Sequence, residues 1–220
     1  MHTIRVITRR TVPLAVTAAL VAGGTSAVAA DHDHAATPTA TARQQALHDG
    51  MRKLWEDHIT WTRLAIVSFA AGDKDLQATE TRLLRNQTDI GNAIKPYYGA
   101  KAGQQLIKLL KEHITAAVAL LQAAKSGDAA AVAKAKTAWY ANANQIADFL
   151  AKANPHNWPR AEMRKMMRVH LDETLKEAVD ELGGHYDASV RDYENVHRHI
   201  LAMADGLTAG IVKQFPRRFR

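Results

Sequence analysis

Lys111-Glu112-His113-Ile114-Thr115, an apolar run to Lys125, the break Ser126-Gly127-Asp128 and a second run closing on Asn144-Gln145-Ile146-Ala147-Asp148-Phe149-Leu150 decide the fold. The pattern recurs on both sides of that stretch. Glu112-His113-Ile114-Thr115 matches Asp57-His58-Ile59-Thr60 upstream, and His170-Leu171 opens the same register downstream. Gly72, Gly127 and Gly184 each follow their histidine by fourteen residues, where a helix needs a left-handed residue to end before the chain reverses. The returning arms end alike, in Asp89-Ile90-Gly91-Asn92-Ala93-Ile94, Gln145 to Leu150 and Ala202-Met203-Ala204-Asp205-Gly206-Leu207, the first needing a one-residue gap. Repetition at this period sets a fold before any motif is read.

Apolar residues recur at spacings of three and four, as on Leu47, Met51, Leu54, His58, Trp61 and Ala65, and no stretch alternates as a strand does. The expected class is all-α: an up-down bundle of six helices built from three helical-hairpin repeats, over about 44–94, 100–153 and 159–215. Lys95-Pro96-Tyr97-Tyr98-Gly99 and Asn154 to Pro159 are expected to stop helices, with Pro159 opening the next. The helical domain then covers 44–216, and Arg217-Arg218-Phe219-Arg220 is a basic tail.

The start of the chain reads as an address. Arg5, Arg9 and Arg10 precede an uncharged apolar run from Val12 to Gly24, and Ala27-Val28-Ala29 is a small-x-small cleavage signal, giving a signal peptide over 1–29. The run is too short to remain as a transmembrane anchor once cleavage follows. Thr8-Arg9-Arg10 adds a twin-arginine route to general secretion as a means of export. The expected location is secreted or extracytoplasmic, in the cell envelope. Residues 30–43 form a polar, His-containing leader without the aliphatics a fold needs.

Charge excludes one class of partner. The chain has Lys+Arg 29 and Asp+Glu 22, net +7; without the three arginines of the signal peptide the balance is 26 against 22, or +4. Nucleic-acid binding loses its support. The basic tail is a solvated end or a contact for an anionic wall polymer or lipid. There is no cysteine, so stability rests on a packed core, which about 190 residues can supply. The sequence carries no pattern that fixes oligomeric state.

Two places carry metal-binding chemistry. In the third hairpin His170 stands fourteen residues before Gly184, and His197 and His199 stand thirteen and fifteen after it, so the three are nearly level. Met166 and Met203 lie four residues from His170 and His199, giving a candidate His2Met2 cluster. Imidazole with thioether favours copper, above all Cu(I), as the cofactor. The second place is the mature N-terminus: after cleavage at Ala29 the chain begins Ala30-Asp31-His32, whose amine, amides and imidazole suit square-planar Cu(II) or Ni(II). The bland readings are a polar leader and buried histidines that fix helix register, since the same layer pairs His58 with Asn86 and His113 with Asn142.

Catalytic motifs are missing from the sequence, and the expectation is a non-enzyme. Only Glu194-Asn195-Val196-His197 fits the Glu-x-x-His motif that a di-iron bundle needs twice. No nucleophile elbow or phosphate-cradling glycine loop occurs.

Leu54-Trp55-Glu56-Asp57-His58-Ile59-Thr60-Trp61-Thr62-Arg63, Leu84 to Gly99, Asn157-Trp158-Pro159-Arg160 and Lys213-Gln214-Phe215-Pro216 resemble the recurrent blocks of a family of small secreted bacterial all-helical proteins. The blocks span Leu54 to Pro216. That family supplies no activity to carry over. The resemblance implies that His58, Thr62, Arg63, Asn86, Asp89 and Asn92 form one site or one polar network, with Trp55, Trp61, Tyr97 and Tyr98 as pocket walls or plain core. Three functions follow as expectations: a metal-binding protein, with copper as the ion; a non-catalytic envelope protein partnered by a cell-envelope component; and small-ligand binding near His58, Asn86 and Asp89.

Overall fold

The computed structural model describes residues 40–220, and these are all-α: among them are five helices, a short 3-10 turn and no strand. Helix α1 is Ala40–Ala71, α2 Leu76–Ser126, α3 Ala129–Ala153, α4 Arg160–Leu182 and α5 Tyr186–Gln214; the turn is Pro216–Phe219. Each helix packs on the next and α5 closes the ring on α1. None of these helices is long and apolar enough to cross a membrane.

The glycine signals operate as local chemistry requires. Gly72, Gly127 and Gly184 have φ of 74°, 74° and 73°, a conformation open to glycine at no steric penalty. After Gly127, Asp128 caps α3 by accepting from the amides of Ala130 and Ala131.

The expected stop at Pro96–Gly99 takes a different form. Helical hydrogen bonding reads through as one element, and only Gly99, at φ 83° and ψ 166°, leaves it. The chain nonetheless reverses there, because a Cβ built on Gly91 lies 2.8 Å from the carbonyl oxygen of Gly103, twelve residues on. A straight helix would separate those residues by about 18 Å. The same Cβ would meet Ile107 Cγ1 at 2.3 Å. Gly91→Ala is therefore expected to lose about 2 kcal/mol or more of unfolding free energy, since backbone must move to admit the methyl. Gly50→Ala, exposed on α1 with open space around it, is the control and should gain up to about 1 kcal/mol. Urea midpoints of the two variants compare them directly.

The core runs the length of the bundle. Ile59, Ile90, Ile146, Leu171 and Ile200 are fully buried on the successive helices α1 to α5, with Ile211 further along α5. Trp158, from the Asn154–Pro159 break, packs its indole closely against Gly210, and Asn154 donates to the Gly210 carbonyl at 2.9 Å. The expected basic tail is partly core, because Phe219 is buried against Tyr97.

Candidate functional site

The three equivalent histidines meet. His58 on α1, His113 on α2 and His170 on α4 are all buried, and the ring of His170 lies 5.8 Å from His58 and 6.4 Å from His113 between centroids. His199 on α5 stacks on the other side of His170 at 6.4 Å, with 9° between planes. Four imidazoles thus share one layer with His170 at its centre. Trp55 stands edge-on to His58 at 5.7 Å, and Trp139 stacks on His113 at 5.4 Å.

Apolar space lies on both sides of this layer. Toward the hairpin turns is a cavity of about 50 Å³ lined by Thr62, Leu83, Ile114, Trp139, Thr174 and Ala178 among others. Away from them is one of about 20 Å³, bounded by Trp55, Ile90, Leu110, Met167, Met203 and Leu207 among others. Thr62 and Thr174 offer the first cavity nothing polar, since their hydroxyls donate to the carbonyls of His58 and His170, each at 2.8 Å. Burial in such surroundings disfavours charge on imidazole. It pulls His58 down to about 3, helped by repulsion from His113. It pulls His113 down to about 4, against a smaller upward pull from Asn142. His170 falls well below its ordinary value, through burial first and then repulsion from His58, His113 and His199. These three rings are neutral at neutral pH.

Hydrogen bonds orient the rings by a rule that repeats. For each of the buried histidines His58, His113 and His170, a polar side chain on the next helix donates to the carbonyl four residues before the histidine. Asn86 donates to Leu54 at 2.9 Å, Asn142 to Leu109 at 3.1 Å, and His199 Nε2 to Met166 at 3.0 Å. In two of these cases the next helix also holds the histidine ring: His113 Nδ1 donates to Asn142 Oδ1 at 2.8 Å, and His58 Nδ1 accepts from Gln87 Nε2 at 3.2 Å. The third departs from the rule. His199 takes the asparagine's place, and His170 Nδ1 is left buried without a partner.

Several expected placements change on this geometry. His58 is held by Gln87, with Asn86 one bond further along through its Oδ1; adjacency to Asn86 was the only trace of Gln87 in the sequence. His197 turns outward, stacks on Tyr193 at 5.8 Å and donates to Glu56 at 3.2 Å, because its position on α5 faces α1. Met203 is buried in the smaller apolar compartment, while Met166 is half-buried and reaches His199 through its backbone carbonyl. Asp89 is half-buried, Asn92 is exposed, and neither joins the hydrogen bonds around His58. Ala30, Asp31 and His32 lie outside the described residues.

Arg63 belongs to a separate cluster. It donates to Glu177 at 3.2 Å, Glu181 at 2.9 Å and Ser189 Oγ, closing α1 onto α4 and α5. Glu177 has no exposed side-chain surface, and its Oε2 lacks a partner. Burial pushes its carboxyl up to about 7, against the pull of Arg63. Glu177 stands seven residues after His170, whereas Ala65 and Leu120 stand seven after His58 and His113. An acid at an otherwise apolar position was the sequence signal for this cluster.

Spacing decides which ions suit the histidine layer. Two imidazoles on one ion hold their centroids about 5 Å apart at a tetrahedral angle and about 6 Å apart when linear, given metal–nitrogen bonds near 2 Å. The observed 5.8 to 6.4 Å lies at the linear end. Among the described residues no group of three or more His, Cys, Asp or Glu side chains is already gathered at ligand spacing. A four-ligand zinc centre fits this layer poorly; an ion content with two imidazoles fits better. No family model, curated protein or solved structure matches this chain.

Proposed function

We propose that this is an extracytoplasmic, non-catalytic helical protein that binds copper as Cu(I) in its central histidine layer. The observation that carries the reading is His170 Nδ1, a buried ring nitrogen with no partner amid three other imidazoles. A buried polar atom left unpaired calls for a missing water or ion, and apolar surroundings on both sides argue against water. Low-pKa imidazoles compete little with protons for a soft ion. His113 and His199 each give one ring N–H to a fixed acceptor, the arrangement that leaves the other nitrogen's lone pair for a metal. His170 with His199 or His113 is the donor pair; Met166 and Met203 become outer neighbours.

The architecture behind this reading is three hairpins and six helical segments, with Gly99 dividing α2 between the first and second. The equal spacing of His58, His113 and His170 from their turn glycines supports it. Export through residues 1–29 belongs to the same proposal, as does the likeness to small secreted helical proteins. The Ala30-Asp31-His32 chelate is a separate Cu(II) or Ni(II) site.

Titration of the mature chain with Cu(I) under anaerobic conditions, against a chromogenic chelator, tests the proposal. One equivalent should bind, and His170→Phe should weaken it by about 100-fold or more while His48→Phe leaves it unchanged. Removal of residues 30–34 should abolish only a Cu(II) site. Absence of Cu(I) uptake, or uptake indifferent to His170→Phe, contradicts the proposal.

A second reading rests on the repeated asparagine rule. The layer is then a register device, with His199 standing in for asparagine and the protein acting as a non-catalytic scaffold for an envelope component. Under it His199→Asn should retain full stability, because Asn can make the same bond to Met166, and copper should not bind.

A further inference from the structure

The basic end of the chain is built into a pocket. Phe219 is buried, stacks on Tyr97 at 5.9 Å with 13° between planes, and anchors the 3-10 turn Pro216–Phe219. Phe215 packs on Tyr97 at 5.8 Å and edge-on to Tyr98 at 5.3 Å, and Tyr98 donates to Gln214 at 2.7 Å. The turn therefore holds Arg218 in place instead of leaving it on a loose end. Across from it, Arg43 of α1 donates to the carbonyl oxygen of Arg220. The two arginines share an open pocket lined also by Leu47, Pro96, Tyr97 and Phe219.

No Asp or Glu side chain lines this pocket, and neither arginine pairs with one among the described residues; the partner of Arg43 is the backbone oxygen of Arg220. Some arginines do have acid partners: Arg52 pairs with Asp205, Arg82 with Asp57, and Arg160 and Arg164 share Asp148. Two guanidinium forks facing one half-apolar space suit an oxyanion, because their paired N–H groups match two oxygens. The ring of Tyr97 beside them suits a flat or apolar group carried by that anion.

We propose that Arg43, Arg218 and Tyr97 form a binding site for a phosphate ester whose phosphate is borne on an apolar or ring-shaped group. The arginines hold the phosphate oxygens, and Tyr97 with Leu47 and Pro96 receives the attached group. This site lies at the end of the bundle remote from the hairpin turns and is independent of the histidine layer.

Phenyl phosphate and inorganic phosphate, each titrated into the mature chain and followed by calorimetry and amide chemical shifts, test the site. Phenyl phosphate should bind about tenfold more tightly than inorganic phosphate, with shifts centred on residues 43–47, 96–97 and 217–219. The double variant Arg43→Gln/Arg218→Gln should lose about tenfold or more, and Tyr97→Ala should remove the preference for the phenyl ester. Both arginine side chains are solvent-accessible, so these changes leave the core intact. Vesicles containing phosphatidylglycerol add an arm: arginine-dependent binding to them names a lipid headgroup as the ester, and its absence with phenyl phosphate still bound names a soluble one. Equal affinity for phenyl and inorganic phosphate, or undiminished binding by the double variant, overturns the proposal.

Discussion

Acidifying the metal-free protein from about pH 7.5 to about pH 5.5 is expected to lower its unfolding free energy by about 2 kcal/mol, and further acidification to about pH 4.5 by about 3 kcal/mol more. The cause is the buried histidine layer. His58, His113 and His170 ionise far below 6.5 in the folded state, so the unfolded chain takes up protons first as pH falls. Stability from these rings is complete above about pH 6.5 and is lost toward their folded values. One pH unit below the ordinary histidine value, each contributes a little over 1 kcal/mol to the loss, or about 4 kcal/mol for three.

Glu177 works in the opposite direction. Its folded value is about 7 against an ordinary 4.5, so the folded state binds the extra proton and is favoured as pH falls between them. That returns about 2 kcal/mol over the first interval. Glu173, which faces His199, Arg198, Asp172 and Asp192, is also raised by burial and adds to the same side. Asp49, Asp148 and Asp180 are lowered by their hydrogen-bonded partners and matter only below their ordinary 3.8. The histidines win because they are three and Glu177 is one. Urea unfolding at the three pH values measures the balance. Stability that stays level or rises on acidification contradicts it, and His58→Gln should reduce the slope by about one proton.

Loss of Arg63 is the other large effect. Arg63→Met leaves Glu177 and Glu181 buried with no cation, and removal of one partner from a buried ion pair typically destabilises by about 3 to 5 kcal/mol. The penalty should be larger at about pH 8 than at about pH 5, because a protonated Glu177 needs no counterion. The triple variant Arg63→Met/Glu177→Leu/Glu181→Met separates charge from shape: it should regain most of the loss, since apolar replacements of a buried ionic cluster are often neutral or better. A triple variant no more stable than Arg63→Met would mean that the side chains hold the helices by packing alone.

Much of this architecture was open to reading because it rests on local chemistry. Gly72, Gly127 and Gly184 must tolerate a left-handed backbone, and their equal distances from His58, His113 and His170 put those histidines at one height. Pro96 and Gly99 marked a reversal, although the helical ladder continues through it to a degree that residue preferences do not foretell. What escaped was lateral. Height along a hairpin is a matter of counting, whereas the direction in which a level residue points depends on how hairpins close into a ring. His197 and His199 are equally level with His170, yet only His199 faces it. Gln87 and Asn86 are neighbours, and only ring closure chose Gln87 for His58. Arg63 and Ser189 are 126 residues apart, and their contact exists only because α5 returns to α1.

X-ray absorption of the copper-loaded protein at the copper edge tests the central claim most directly, because it distinguishes nitrogen from sulfur donors and recognises imidazole by its outer-shell scattering. The histidine layer predicts a nitrogen shell at about 2 Å with imidazole scattering from two rings and no sulfur, all lost in His170→Phe. A sulfur shell, or copper without imidazole scattering, would contradict binding in the histidine layer.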